Sequence, residues 1–196
     1  MTLAGLVLAA GGGSRFGRPK ALVSLDGELL VMRAVRTLTL GGCDPVITVL
    51  GAAADEVTTV AALPHSVVNP DWASGLGSSL RCGLRSLPQR AEAVVISLAD
   101  QPLIRPEAVT RLAEAWSGGA VAAVATYATR PRNPVLLDRA VWPAVAAAAS
   151  GDTGARPWLA AHPDLVSLVP CDDIGSAYDI DTPADLAAVQ VERAQG

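Results

Sequence analysis

The residues with the clearest chemical potential lie in one loop near the amino terminus. Residues 11–13 are all glycine, and Arg15 and Lys20 follow them closely. Consecutive glycines let the backbone approach phosphate oxygens, and their N–H groups can donate hydrogen bonds to those oxygens. Arg15 adds a fork-shaped cation and Lys20 a point charge. The loop therefore predicts a polyphosphate site, the alternative being a tight turn in which the glycines only satisfy backbone geometry.

Lys20 draws further attention because the chain uses arginine almost everywhere else. Of its fifteen basic residues, Lys20 is the only lysine. The loop nevertheless fits neither familiar nucleotide motif. A G-x-G-x-x-G fingerprint would need glycine where Phe16 stands, and a P-loop would need Lys directly after Gly17, where Arg18 stands.

A second polar, glycine-rich segment, 69–80, leads into a predicted helix. Small hydroxyl residues at a helix amino terminus can donate hydrogen bonds to a base or an anion. We interpret the segment as part of a nucleotide site, and a capped helix without a ligand is the alternative. The residues that we expect to contribute are Ser74, Gly75, Ser78 and Ser79.

A carboxylate stands at the end of the most strand-like segment of the chain, where 93–99 runs into Asp100. Mg²⁺ prefers one or two carboxylates together with substrate oxygens and water. Asp100 is therefore a candidate metal ligand. Near the carboxy terminus, Thr182 and Pro183 form the N-cap and first position of a predicted helix.

Strands and helices alternate through the first 115 or so residues. This pattern predicts an α/β fold of three layers, α/β/α, with a mostly parallel Rossmann-like sheet in a single domain, 1–196. Ligands of such sheets bind at the carboxyl ends of the strands, where the loops described above would meet. The predicted strands are 4–10, 45–50, 66–68, 93–99, 120–127, 134–137 and 165–169. The predicted helices are 29–40, 54–62, 77–87, 106–116 and 139–149, with a short helix after Gly154 and a last one from Pro183.

The loop Leu-Ala-Ala-Gly followed by Arg15, Gly17 and Pro19-Lys20 resembles the signature of the sugar-nucleotide and cofactor nucleotidyltransferases. Within them the chain most resembles the MocA-like molybdenum cofactor cytidylyltransferases, over nearly its whole length. The resemblance implies that Arg15, Lys20 and Asp100 are catalytic, with Asp100 also binding Mg²⁺. The nucleotide-binding set that it implies is Leu8, Ala9, Ala10, Gly11, Gly12, Gly13, Lys20, Ser74, Gly75, Ser78 and Ser79.

The resemblance extends to a second carboxylate and to the acceptor. The D-I-D-T-P element holds Asp179 and Asp181, which alternation places on one side of an extended segment, so at least one is expected at the metal. The segment that begins at Arg132 resembles the family's R-G-H-P-V-L, but asparagine stands where many members have histidine. The segment 151–156 resembles G-D-x-G-A-R. The implied acceptor-binding residues are Asn133, Pro134, Asp152 and Arg156.

The expected reaction is transfer of CMP from CTP to molybdopterin bearing molybdenum, with release of pyrophosphate. CTP is favoured over GTP because the loop reads Leu-Ala-Ala-Gly, where guanylyl relatives tend to read Leu-Ala-Gly-Gly. A molybdenum hydroxylase would be the client of the product. Two alternatives stay open: an NAD(P)H-dependent oxidoreductase, since similar proteins reduce dyes or nicotine blue, and a non-catalytic carrier of the cofactor.

Composition excludes other classes. The chain has 196 residues, 51% of them hydrophobic and 17% charged, and its net charge is −4, so a nucleic-acid partner is not expected. The longest apolar runs, 120–125 and 140–149, are too short to span a bilayer. Three dispersed cysteines and two distant histidines favour neither a disulfide framework nor a zinc site. We expect a cytoplasmic protein without membrane association.

Overall fold

The computed structural model describes residues 2–195, with side chains through residue 191. Its strands are β1 (Leu3–Ala9), β2 (Ser24–Leu25), β3 (Glu28–Leu29), β4 (Val46–Leu50), β5 (Ser66–Val68), β6 (Ala93–Leu98), β7 (Ala122–Tyr127), β8 (Arg130–Asp138) and β9 (Val166–Pro170). Its α-helices are α1 (Leu30–Leu40), α2 (Ala54–Val60), α3 (Leu76–Ser86), α4 (Pro106–Ser117), α5 (Trp142–Ala148), α6 (Arg156–Ala161) and α7 (Pro183–Gln195).

Seven of the strands form one sheet in the order β5-β4-β1-β6-β8-β7-β9. β1 pairs in parallel with both β4 and β6, and of the seven described strands of this sheet only β8 runs antiparallel to its neighbours. The ends of β1, β4 and β6 therefore meet at one edge, as expected for a mostly parallel sheet. The predicted α/β class and sheet are confirmed.

The sheet is buried on both faces, which gives the three layers. Alternate residues of β1 enter opposite cores: Leu6 and Leu8 pack on one side, Val7 and Ala9 on the other. Side chains of α3 and α5 fill the first core, and those of α1 and α4 fill the second. Burial on both faces explains why β1 reads as a continuous apolar run rather than as an alternating one.

The structure differs from the sequence prediction mainly after residue 120. The strand predicted at 134–137 is longer, and it lies antiparallel between β6 and β7. The helix predicted at 139–149 begins with a 3₁₀ turn, Arg139–Val141, before α5. The two-residue hairpin of β2 and β3 was not predicted, because so short a ladder leaves no periodic pattern.

Between residues 2 and 195, no helix combines the length and apolar character that a bilayer span requires.

Candidate functional site

The glycine loop after β1 has room only for glycine at its third position. Gly13 has φ +64°, and its carbonyl accepts hydrogen bonds of 2.9 Å from the N–H groups of Phe16 and Gly17. A Cβ on Gly13 would lie 1.9 Å from the Arg18 carbonyl oxygen, whereas one on Gly11 would meet no atom within 4 Å. Gly13 is therefore required by the turn, while Gly11 leaves open space at the cleft.

Lys20 lies at the end of this loop and joins three distant parts of the chain. Its Nζ donates to Asp100 Oδ2 at 2.8 Å and also to Asp181 Oδ1. Asp181 Oδ2 in turn accepts from Arg15 Nη1 at 2.9 Å. Burial acts to lower the pKa of Lys20, but the hydrogen bonds and charges of Asp100 and Asp181 outweigh it and leave the pKa raised. Lys20 is therefore a charged ammonium held between two carboxylates.

The loop and the start of α3 enclose a cleft of about 370 Å³ at the carboxyl edge of the sheet. Trp72 forms part of its wall, and a Cβ on Gly12 would lie 3.4 Å from the indole ring. The cleft brings together most of the predicted nucleotide, catalytic and metal residues. They are Leu8, Ala9, Ala10, Gly11, Gly12, Gly13, Arg15, Lys20, Gly75, Ser79, Asp100 and Asp181, and the predicted acceptor residue Asp152 joins them.

Two of the predicted serines have structural partners instead. Ser78 is buried, and its hydroxyl lies within hydrogen-bond distance of the Asp71 and Gly75 carbonyls. Ser74 donates to the Asp71 carbonyl at 2.7 Å and lies outside the described cleft lining. Buried Asn69 donates to the hydroxyls of Ser78 and Ser79. Within the segment 69–80, Ser79 and the backbone at Gly75 therefore face the cleft, and the other hydroxyls hold the loop.

Asp179 lies beside the cleft rather than in its described lining. Its Oδ1 accepts from Gln101 Nε2 at 2.8 Å. The pKa of Asp179 is raised, mainly by burial and also by the charge of Asp100. The hydrogen bond from Gln101 and the charge of Arg132 act in the opposite direction. Gln101 was not among the predicted site residues. The one signal for it in the sequence is its position directly after Asp100, which follows β6.

A smaller pocket of about 60 Å³ adjoins the cleft and shares Leu8, Leu76 and Leu98 with it. Its lining is mostly apolar, but it contains two of the predicted acceptor residues, Asn133 and Arg156. Among the described residues, none forms a hydrogen bond or ion pair with the side chain of Arg156. Pro134, which follows Asn133 through a cis peptide bond, lies outside the described lining.

The start of α7 has the cap that the sequence predicted. The N–H of Asp185 donates to Thr182 Oγ1 at 3.3 Å, and Asp185 Oδ2 accepts from the N–H and hydroxyl of Thr182. Asp181, next to the cap, faces the cleft. The predicted cap is therefore present, and one of the two predicted aspartates lies at the cleft.

The described residues contain no cluster of three or more His, Cys, Asp or Glu that could hold a metal by themselves. The chemistry of the site still fits a hard cation that takes part of its ligands from a substrate. Asp100 Oδ1 is buried without a hydrogen-bond partner, and Asp181 lies on the other side of Lys20. One or two carboxylates with phosphate oxygens is the ligand set that Mg²⁺ prefers.

A glycine loop, two cations and two carboxylates at the edge of this sheet define a nucleotide-binding α/β protein. The chain belongs to the MobA-like NTP transferase domain family, whose model matches residues 5–166. It is 40% identical over 187 residues to nicotine blue oxidoreductase of Paenarthrobacter nicotinovorans, covering 91% of each chain.

Three solved structures show the same architecture. Rv0371c of Mycobacterium tuberculosis is similar with a TM-score of 0.83 and 28% identity over 97% of this chain and 98% of that one. A second structure of Rv0371c, similar with a TM-score of 0.77 over 98% of this chain and 99% of that one, is a complex with manganese. Molybdopterin-guanine dinucleotide biosynthesis protein A of Archaeoglobus fulgidus has a TM-score of 0.73 and 20% identity over the full length of both chains, a likeness of fold.

Proposed function

We propose that this protein is a cytoplasmic, single-domain nucleotidyltransferase that moves CMP from CTP to a phosphorylated pterin, the molybdenum cofactor. The observation that carries the proposal is the Lys20 ammonium between Asp100 and Asp181 at the mouth of the glycine loop. Such a cluster offers cations to phosphate oxygens and carboxylates to a metal at the same place. The three cysteines of the protein are free thiols, which agrees with a reducing compartment.

The proposed chemistry needs no covalent enzyme intermediate. A terminal phosphate oxygen of the acceptor attacks the α-phosphorus of CTP, the bond from that phosphorus to the bridging oxygen breaks, and pyrophosphate leaves. The glycine N–H groups, Lys20 and Arg15 would hold and neutralise the phosphates, so that catalysis rests on position and charge. Mg²⁺, bound through Asp100 and either Asp181 or Asp179, would supply further neutralisation of phosphate charge.

The acceptor would approach from the side of the small pocket beside the cleft, which at about 60 Å³ can hold only one edge of it. The apolar lining suits the edge of a heterocycle, and the side chain of Arg156, which has no described partner, offers a cation to an acidic group. Asp152 lies on the cleft wall between the two spaces. Asparagine at position 133 can donate or accept a hydrogen bond but carries no charge near neutral pH. A molybdenum hydroxylase would then receive the finished cofactor.

The direct test is to incubate the protein with Mg²⁺, molybdopterin bearing molybdenum, and each nucleoside triphosphate in turn. Pyrophosphate and the dinucleotide product are then measured separately. CTP should give both products in equal amounts. Binding of CTP and pterin without any pyrophosphate would favour the carrier alternative instead.

CTP should be preferred over GTP by about 10²-fold, because one steric or hydrogen-bonding feature discriminates by roughly 1–3 kcal/mol. Ala10 adds a methyl group to the cleft lining, narrowing the room for a purine. Ser79 accepts from Asn69, which leaves its hydroxyl proton free for a pyrimidine edge. Calorimetric titration with each nucleotide measures the preference, and tighter binding of GTP would contradict it.

A second candidate, an NAD(P)H-dependent oxidoreductase, is favoured by the 40% identity to nicotine blue oxidoreductase. The glycine loop argues against it, since Phe16 stands where the dinucleotide fingerprint has its third glycine. The two functions separate in one assay. Oxidation of NADPH with nicotine blue, in the absence of CTP-dependent pyrophosphate release, would replace the transferase proposal.

A further inference from the structure

We infer that Lys20 acts as an internal substitute for the divalent cation, so that the protein binds its metal only together with the nucleotide. The inference rests on the proposed nucleotide site and concerns the order in which its ligands assemble. Lys20 would keep the two carboxylates paired until phosphates arrive and take over the ammonium.

The first observation is that Lys20 lies where a cation shared by Asp100 and Asp181 would have to lie. Its Nζ contacts one oxygen of each carboxylate, and its side chain is only 19% exposed. The other oxygen of Asp100 is buried without a partner, so the pair has unused acceptor capacity for a cation. Lys20 and a metal would therefore compete for the same two groups.

The second observation is the balance of charge. Asp100 and Asp181 face two cations, Lys20 and Arg15, and the neighbouring carboxylate of Asp179 lies near the charge of Arg132, so these groups together have no net negative charge to attract a free metal ion. A divalent ion entering beside an undisplaced ammonium would be repelled strongly, because screening by solvent is weak at a partly buried site.

The third observation is that a triphosphate can reverse this balance. Lys20, Arg15 and the glycine loop all line the same cleft, so phosphates bound there would offer both cations new partners. A lysine ammonium on a flexible stem can turn from a carboxylate to a phosphate without movement of the backbone. Asp100 and Asp181 would then be released to the metal that accompanies the nucleotide.

The test measures binding of Mn²⁺ alone, without nucleotide, by the electron paramagnetic resonance signal of the free ion. Lys20→Met should bind Mn²⁺ at least about tenfold more tightly than the wild type, because it removes the competing charge at contact distance. Lys20→Gln should do the same, and it serves if the methionine variant does not fold. Adding Asp100→Asn to Lys20→Met should abolish the gain.

Arg18→Met is the matched control, since Arg18 is an exposed cation of the same loop that contacts neither carboxylate in the described structure. It should leave Mn²⁺ affinity within about twofold of the wild type, because an exposed charge at a distance is largely screened. Equal Mn²⁺ affinity in the wild type and both folded Lys20 variants would overturn the inference, as would an equal gain in Arg18→Met. The Mn²⁺ measurements do not depend on pyrophosphate release by the wild type, which tests the proposed function. Failure of the inference can therefore be distinguished from failure of the proposed function.

Discussion

The two walls of the cleft use their polar groups in opposite ways. The charged wall consists of Arg15, Lys20, Asp100 and Asp181, whose side chains bond to one another across the chain and stay partly exposed. The packed wall consists of residues 69–79 with the turn at 150–154, where buried Asn69 holds two serines. A Cβ on Gly75 would lie 2.5 Å from the Gly151 carbonyl. Bonds on the charged wall can be exchanged for a ligand, whereas those on the packed wall fix its shape.

Asp100→Asn should have the largest effect, lowering turnover by about 10³-fold, because loss of a ligand to a catalytic ion costs several kcal/mol of transition-state stabilisation. The free energy of unfolding should change little, since the carboxamide keeps the shape. Steady-state pyrophosphate release and urea unfolding measure the two effects. Asp164→Asn, at an exposed position away from the cleft, is the control, and near-normal turnover of Asp100→Asn would remove Asp100 from the mechanism.

Lys20→Ala should lower turnover by about 10²-fold, which corresponds to roughly 2.7 kcal/mol of transition-state stabilisation, because it removes a cation that neutralises phosphate charge. Arg15→Ala should have the same direction and a smaller size, because Arg15 is 75% exposed and its field is screened. Melting temperatures should stay close to that of the wild type in both. If Lys20→Ala unfolds the protein while the remaining folded fraction keeps its activity, the charged wall has a structural role. The contrast between the charged wall and the packed wall would then not hold.

Asn69→Ala tests the packed wall and should cost about 2 kcal/mol of unfolding free energy, because it leaves the buried Ser79 hydroxyl without its described donor and the Asp71 N–H without its acceptor. Ser74→Ala is the matched variant, since it removes only a local hydrogen bond at the surface and should cost less than about 0.5 kcal/mol. Chemical unfolding of both proteins gives the difference. A loss of turnover with unchanged stability in Asn69→Ala would place this residue with the ligand-binding groups.

Thr182→Ala should have the smallest effect, about 1 kcal/mol of stability, by removing the cap of α7. Hydrogen bonds from Thr182 and then Tyr178 hold the pKa of Asp185 below its usual 3.8. The stability that these hydrogen bonds add is fully present above the unfolded pKa of Asp185 and is lost as the pH falls through its lower folded pKa. The stability difference between Thr182→Ala and the wild type should therefore shrink in acid. Asp181→Asn should instead lower turnover and leave the free energy of unfolding nearly unchanged. A loss of stability equal to that of Thr182→Ala would show that Asp181 also supports the cap.

The sequence was sufficient for features that depend on neighbouring residues. The apolar run of β1, the glycine loop and the aspartate after β6 each follow from local composition, and all three lie at the predicted edge. The pairing of Lys20 with Asp181 could not be predicted, because the two residues are 161 positions apart and only the closed sheet brings them together.

The serines show a second limit. Ser78 and Ser79 are identical in type and adjacent in sequence, yet one bonds to backbone carbonyls and the other faces the cleft. The 3.6-residue period separates their directions by about 100°, and only the packing of α3 decides which direction is inward. The sequence therefore predicted which segments meet at the cleft, but not which of their polar side chains face it and which hold the loop.

The reversed strand β8 has a consequence for how such proteins diverge. Its pairing with β6 aligns Val135 with Ile96, so continuing the register brings its early residue Asn133 beside Leu98, at the ligand edge. The polar residues of the small pocket, Asn133, Thr153 and Arg156, thus come from the later part of the chain, whereas the glycine loop and the start of α3 come from the first hundred residues. Substitutions in the later part can change the polar lining of the small pocket while the glycine loop stays intact. Descendants of one ancestor can in this way keep the same cleft and come to bind unrelated molecules beside it.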